Sequence, residues 1–146
     1  MLRVPVRIVL DTNVVVSALI WGGTPDTLMQ MAIDGGIELY TSPELLDELY
    51  DVMMRKHLAS RIGSRHASVE EAIALHGALA VSVSPTSMPR VVPGDADDDF
   101  VIATAVAAGA AIIVSGDRHL ISLGSHQTIR IVTPAEAVRT IAESSE

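Results

Sequence analysis

Short apolar runs alternate along the chain with longer segments in which polar and apolar positions are mixed. The runs are rich in Ile, Val and Leu and are bounded by turn residues, which is typical of buried strands. The predicted strands are residues 6–10, 37–40, 111–115 and 129–132, with a brief strand at Val81 and Val83.

Capping signals mark the starts of the helices between these strands. A capping hydroxyl followed by proline predicts a helix start at Thr24-Pro25, Ser42-Pro43 and Thr133-Pro134. Ser68 with Glu71 forms a capping box. The predicted helices are 25–34, 43–53, 69–79, 97–108 and 118–123, with a last helix starting at 134. The alternation of strands and helices predicts an α/β fold with a mainly parallel sheet.

Length and composition narrow this prediction. A chain of 146 residues is expected to form one domain, 1–146, with the last few residues frayed. The absence of cysteine excludes disulfides, thiolate metal ligands and a cysteine nucleophile. No apolar run reaches the roughly 18 residues of a membrane span, and no targeting segment is visible, so a cytoplasmic location is expected.

The charge of the chain is acidic, at −8, which does not by itself favour nucleic-acid binding. Basic residues are concentrated in one stretch, whose candidates for RNA contact are Arg55, Lys56, Arg61 and Arg65. A solvated helix end explains this stretch slightly better, because no aromatic residues interleave for base stacking. The five histidines show no metal-ligand spacing and are interpreted as surface or structural residues, with only His119 near the acidic residues described next.

Acidic residues follow the predicted strands where a parallel sheet binds its ligands. Asp11 comes directly after strand 6–10, and Asp117 comes after strand 111–115. Between them lie Glu48, for which Asp47 and Asp51 are alternatives, and the cluster Asp95, Asp97, Asp98 and Asp99. Each acid alone is explained by a turn, a cap or a solvated helix face. Together, at one sheet edge, they predict a site for Mg²⁺ or Mn²⁺ that could activate water against a phosphodiester.

Four segments in order resemble the motifs of PIN-domain ribonucleases of the kind found as toxins in bacterial VapBC-type toxin–antitoxin pairs. They are Ile8–Val14, Ser42–Leu49, Asp97–Ala105 and Ile113–Arg118. The resemblance implies a three-layer sandwich with a central, mainly parallel sheet, and a Mg²⁺- or Mn²⁺-dependent endoribonuclease. It also implies a homodimer and an antitoxin protein as partner.

The resemblance further implies roles for individual residues. Asp11, Glu48, Asp99 and Asp117 would be the catalytic acids, with Asp11, Asp99 and Asp117 holding metal. Asp99 is preferred to Asp98 because the family's acid stands three residues before Ile102. Asn13 and Ser115 would support the acids. His119 stands where many relatives carry another Asp, which puts a second metal position in doubt.

Three other functions fit the acids less well. A haloacid-dehalogenase-type phosphotransferase requires an Asp where Asn13 stands, and a receiver domain requires a lysine at a later strand end, whereas Lys56 is the only lysine. A catalytically silent PIN-like module that binds proteins is the remaining alternative.

Overall fold

The structure, a computed structural model, describes residues 5–55, 58, 60–61, 66, 68–86 and 96–144, the side chains of 96, 97 and 144 excepted. Its strands are β1 (Val6–Leu10), β2 (Ile37–Thr41), β3 (Val81–Ser82), β4 (Ile112–Val114), β5 (Ser125–His126) and β6 (Ile129–Val132). Its helices are α1 (Thr12–Ile20), α2 (Gly23–Ile33), α3 (Pro43–Met53), α4 (Val69–Leu79), α5 (Ala96–Ala108), α6 (Arg118–Leu123) and α7 (Pro134–Ser144).

Within the described residues, one six-stranded sheet has the order β3-β2-β1-β4-β6-β5. All neighbouring pairs are parallel except β5 with β6 at one edge. The chain adds strands on one side of β1 and then, from β4 onward, on the other. The point between β1 and β4, where the direction reverses, is where open parallel sheets bind ligands. The predicted α/β fold with a mainly parallel sheet is confirmed.

Helices cover both faces of the sheet, because successive side chains of a strand point to opposite faces. On β1, Ile8 and Leu10 join one hydrophobic cluster, whereas Val9 joins the other. On β4, Val114 belongs to the first cluster and Ile113 to the second. Strands buried on both sides in this way read as continuous apolar runs, which is how they were predicted.

Helix α1 is a helix that the sequence pattern did not predict. Its segment is rich in β-branched Val and Ile, which have low helix propensity and resemble a strand. Seven of its nine residues are buried, so the helix is apolar on nearly all sides. Burial against β1 and the neighbouring helices therefore outweighs the local preference.

The predicted helix starts are confirmed except at α2. Ser42, Ser68 and Thr133 accept hydrogen bonds from backbone N–H groups three residues ahead. Helix α2 instead begins at Gly23, after Gly22, and both glycines have positive φ angles of 68° and 79°. The predicted cap at Thr24 is therefore wrong, because the glycines make the turn and the helix starts two residues earlier.

The remaining boundaries differ by one or two residues. The brief strand ends at Ser82, although the Val83 N–H still donates to Thr41 O at 2.9 Å. The short strand β5 was not predicted. No helix in the described part of the chain is long and apolar enough to cross a membrane.

Candidate metal centre

Two neighbouring strands bring Asp11 and Ser115 side by side. Strands β1 and β4 pair with Leu10 opposite Val114, so the next residue of each strand lies at the same edge. The Asp11 N–H donates to Val114 O at 2.9 Å. The Ser115 hydroxyl donates to Asp11 Oδ2 at 2.7 Å, and both residues are buried. Ser115 therefore contacts Asp11 directly, and its predicted supporting role in the function stays a prediction.

The same hydroxyl also positions the loop that carries Asp117. Ser115 Oγ accepts a hydrogen bond from the Asp117 N–H at 2.9 Å. Asp117 in turn caps α6, with its Oδ1 accepting from the His119 N–H at 2.7 Å. A single buried serine therefore links the acids that follow β1 and β4.

Asp11 is also the N-cap of α1. Its Oδ1 accepts from the Thr12 N–H at 2.8 Å. The positive end of a helix dipole favours a carboxylate at this position. The undetected helix α1 is therefore part of what orients this acid.

Glu48 reaches the site from α3. The Thr12 hydroxyl donates to Glu48 Oε2 at 3.0 Å, so Glu48 lies beside the residue that follows Asp11. Helix α3 is in turn fixed to α5, because the buried hydroxyls of Ser42 and Thr104 are 2.8 Å apart. Of the three acids considered on this helix, Glu48 makes this contact, and its catalytic role stays a prediction.

The start of α5 supplies the remaining acids. Asp98 and Asp99 are both buried, at 5% and 6% exposure, which is rare for carboxylates. Asp98, Asp117 and His119 each offer one ligand atom, and these atoms all lie within 4.8 Å of one another. Asp98 stands in this group rather than the Asp99 that the motif spacing favours, and the role of Asp99 stays a prediction.

This donor set fits a divalent cation. Two ligand atoms on opposite sides of an ion, each at about 2.1 Å, are about 4.2 Å apart. Atoms that lie within 4.8 Å of one another could thus bind one ion after side-chain shifts of a few tenths of an ångström. Two carboxylates and one imidazole also provide the charge and the donors that such an ion needs.

The surface next to Glu48 is strongly acidic. A cavity of about 400 Å³ on α3 is lined by Glu44, Asp47, Glu48, Asp51, Val52, Arg55 and Phe100. Arg55 is the only basic residue among the described residues of that lining. Phosphate groups would be repelled here unless a bound cation offsets the negative charge. The electrostatics of the site therefore favour a cation as the first ligand.

The other predicted residues contribute less to the geometry. Asn13 is exposed, and in the described part of the chain it makes no hydrogen bond to these acids. The Arg61 guanidinium lies 4.7 Å from the centre of the Trp21 ring. Lys56 and Arg65 lie outside the described residues.

Comparison with known proteins agrees with the fold. The pattern that defines the PIN domain matches residues 7–119. The chain belongs to the PIN domain family, whose members are generally nucleases and typically bind a divalent metal. A similar protein is an uncharacterized protein of Methanocaldococcus jannaschii, 28% identical over 122 residues that cover 83% of this chain and 77% of the relative.

Sequence reasoning missed Thr12 and His119 as parts of the site. Thr12 gave no signal, since it lies in the segment not recognised as a helix. His119 was placed near the acids but interpreted as a surface or structural residue, and its position two residues after Asp117 was the signal that could have identified it as a candidate ligand. It was not assigned as a ligand because no second histidine stands at a metal-ligand spacing from it.

Proposed function

We propose that the chain is an endoribonuclease that hydrolyses RNA phosphodiester bonds with the help of Mg²⁺ or Mn²⁺. The observation that carries the proposal is the convergence of Asp98, Asp117 and His119 within 4.8 Å at the edge where Asp11 is held. Membership of a family of nucleases supports the same activity. The acidic surface around the site supports a requirement for a cation.

The side chains have separate proposed roles. Asp98, Asp117 and His119 would hold the ion, with Asp11 and Asp99 as further carboxylate ligands. The bound ion would polarise the scissile phosphate and stabilise charge on the leaving oxygen.

Glu48 is proposed to orient a water molecule and accept its proton. The water oxygen would then form a bond to phosphorus while the bond from phosphorus to the leaving oxygen breaks. The Thr12 hydroxyl holds the Glu48 carboxylate through its bond to Oε2. Phosphate contacts are proposed for Arg55, Lys56, Arg61 and Arg65.

The activity is tested on tag-free protein with a structured RNA, with Mg²⁺ or Mn²⁺ and with chelator. Cleavage should require the cation and should be lost in Asp11→Asn. Asp34→Asn is the matched control, because it removes the same charge from an exposed residue at the end of α2. Equal cleavage by Asp11→Asn and wild-type protein would overturn the proposal. Cleavage-site mapping on total RNA would identify the target.

We also propose that the nuclease is the toxin of a toxin–antitoxin pair. An apolar surface supports a protein partner: Ile33 and Leu75 are 61% and 54% exposed and line a cavity of about 470 Å³ beside α2 and α4. Co-expression with the product of a neighbouring small gene should yield a complex that no longer cleaves RNA. Light scattering tests the proposed homodimer. If no such product inhibits cleavage, the proposed ribonuclease activity stands and the proposed toxin role is overturned.

A further inference from the structure

His119 lies beside an acid of the candidate metal site, although it belongs to no recognised metal-binding motif. It lies in the first turn of α6, and its Nδ1 is 3.8 Å from Asp117 Oδ1. Its backbone N–H donates to that same oxygen, so the Asp117 carboxylate is held against the backbone of His119. The imidazole is 68% exposed and is therefore accessible to an ion from solvent.

A third donor completes the group from a distant part of the chain. Asp98 is buried at the start of α5, with 5% exposure, and its ligand atom lies within 4.8 Å of those of Asp117 and His119. The group thus joins one buried acid, one partly exposed acid and one exposed imidazole.

We propose that His119 is a direct ligand and that it makes this centre select Mn²⁺ over Mg²⁺. The inference rests on the proposed metal-dependent nuclease and specifies its ion. Mg²⁺ prefers oxygen ligands in near-octahedral geometry and retains much of its water. An imidazole nitrogen binds transition-metal ions better than it binds Mg²⁺. A ligand set that contains an imidazole nitrogen in place of one oxygen therefore favours Mn²⁺ over Mg²⁺.

Calorimetric titration of metal-free, tag-free protein with MnCl₂ and with MgCl₂ measures the selectivity. The ratio of the Mg²⁺ to the Mn²⁺ dissociation constant should fall by roughly tenfold in His119→Asp, which restores an oxygen ligand. His126→Asp is the matched control, because it makes the same change of charge at a histidine on β5 outside the site. An unchanged ratio in His119→Asp would overturn the inference.

Pulsed electron paramagnetic resonance of the Mn²⁺ complex provides a readout that does not depend on affinity. Wild-type protein and His126→Asp should show ¹⁴N coupling from a bound imidazole, and His119→Asp should not. Absence of that coupling in the wild-type complex would also overturn the inference.

The two proposals fail in different ways. If Mn²⁺ binds without any contribution from His119, the nuclease stands and only the assigned ligand is lost. If the wild-type protein binds neither ion, the metal-dependent nuclease is overturned together with the role of His119.

Discussion

Buried His76 should make the protein less stable as the pH falls. Burial lowers the pKa of His76 from 6.5 to about 4, because desolvation disfavours the charged imidazolium. Its Nδ1 has no hydrogen-bond partner in the described part of the chain that would offset this cost. The folded protein therefore keeps His76 neutral at pH values at which the unfolded chain binds a proton.

The magnitude follows from the two pKa values. Below pH 6.5 the unfolded state gains a proton that the folded state does not, so the free energy of unfolding falls with pH until about pH 4. At roughly 1.4 kcal/mol per pH unit the full loss is about 3 kcal/mol, and about 2 kcal/mol of it appears between pH 7 and pH 5. The stabilisation is complete above pH 6.5 and is lost as the pH approaches 4.

Urea denaturation followed by circular dichroism at pH 7 and pH 5 tests this. His76→Phe retains a ring but cannot titrate, so its stability relative to wild type should rise by about 2 kcal/mol on going to pH 5. His76→Gln guards against a packing defect specific to Phe. Leu79→Ala is the control: it changes packing in the same helix, and its difference from wild type should be equal at both pH values. The reasoning is refuted if the His76 variants differ from wild type in the free energy of unfolding by the same amount at pH 7 and at pH 5.

Three further substitutions probe the site. Thr12→Val removes the donor to Glu48 and should lower the rate of RNA cleavage by about 10- to 100-fold, whereas Thr12→Ser keeps a hydroxyl and should retain much of the rate. Equal rates for wild type and both variants would exclude this positioning role. Ser42→Ala removes the cap of α3 and should lower the urea-derived free energy of unfolding by about 1 kcal/mol; no change would show that the cap is not stabilising. Asp98→Asn removes a charge near Asp117 and should stabilise the metal-free protein by about 1 kcal/mol while abolishing the rise in melting temperature on adding Mn²⁺. A rise in melting temperature equal to that of wild type would remove Asp98 from the metal site.

Much of the fold could be predicted because its signals are local. The continuous apolar runs identified the main strands, since these strands are buried on both faces. The caps at Ser42, Ser68 and Thr133 identified helix starts, because a capping hydrogen bond spans only three residues. The strand ends also placed Asp11 and Asp117 at one sheet edge, since the carboxyl ends of parallel strands meet there.

The elements that escaped prediction depend on contacts between distant residues. Helix α1 forms because its Val-rich segment is buried on nearly all sides, and no local pattern records that burial. The sequence did not predict how the segment before α5 brings the start of that helix to the site, and residues 87–95 of this segment lie outside the described part of the chain.

The local chemistry of the chain thus determined which acids were available and which edge of the sheet they occupy. Tertiary packing decided which of them meet. Spacing along the sequence favours Asp99, whose role stays a prediction, and the orientation of α5 brings its neighbour Asp98 to Asp117 and His119. Ser115 joins the acids only because β1 and β4, about one hundred residues apart, are neighbours in register. A helix places successive side chains in different directions, so only the packing of α5 fixes where each of its carboxylates points.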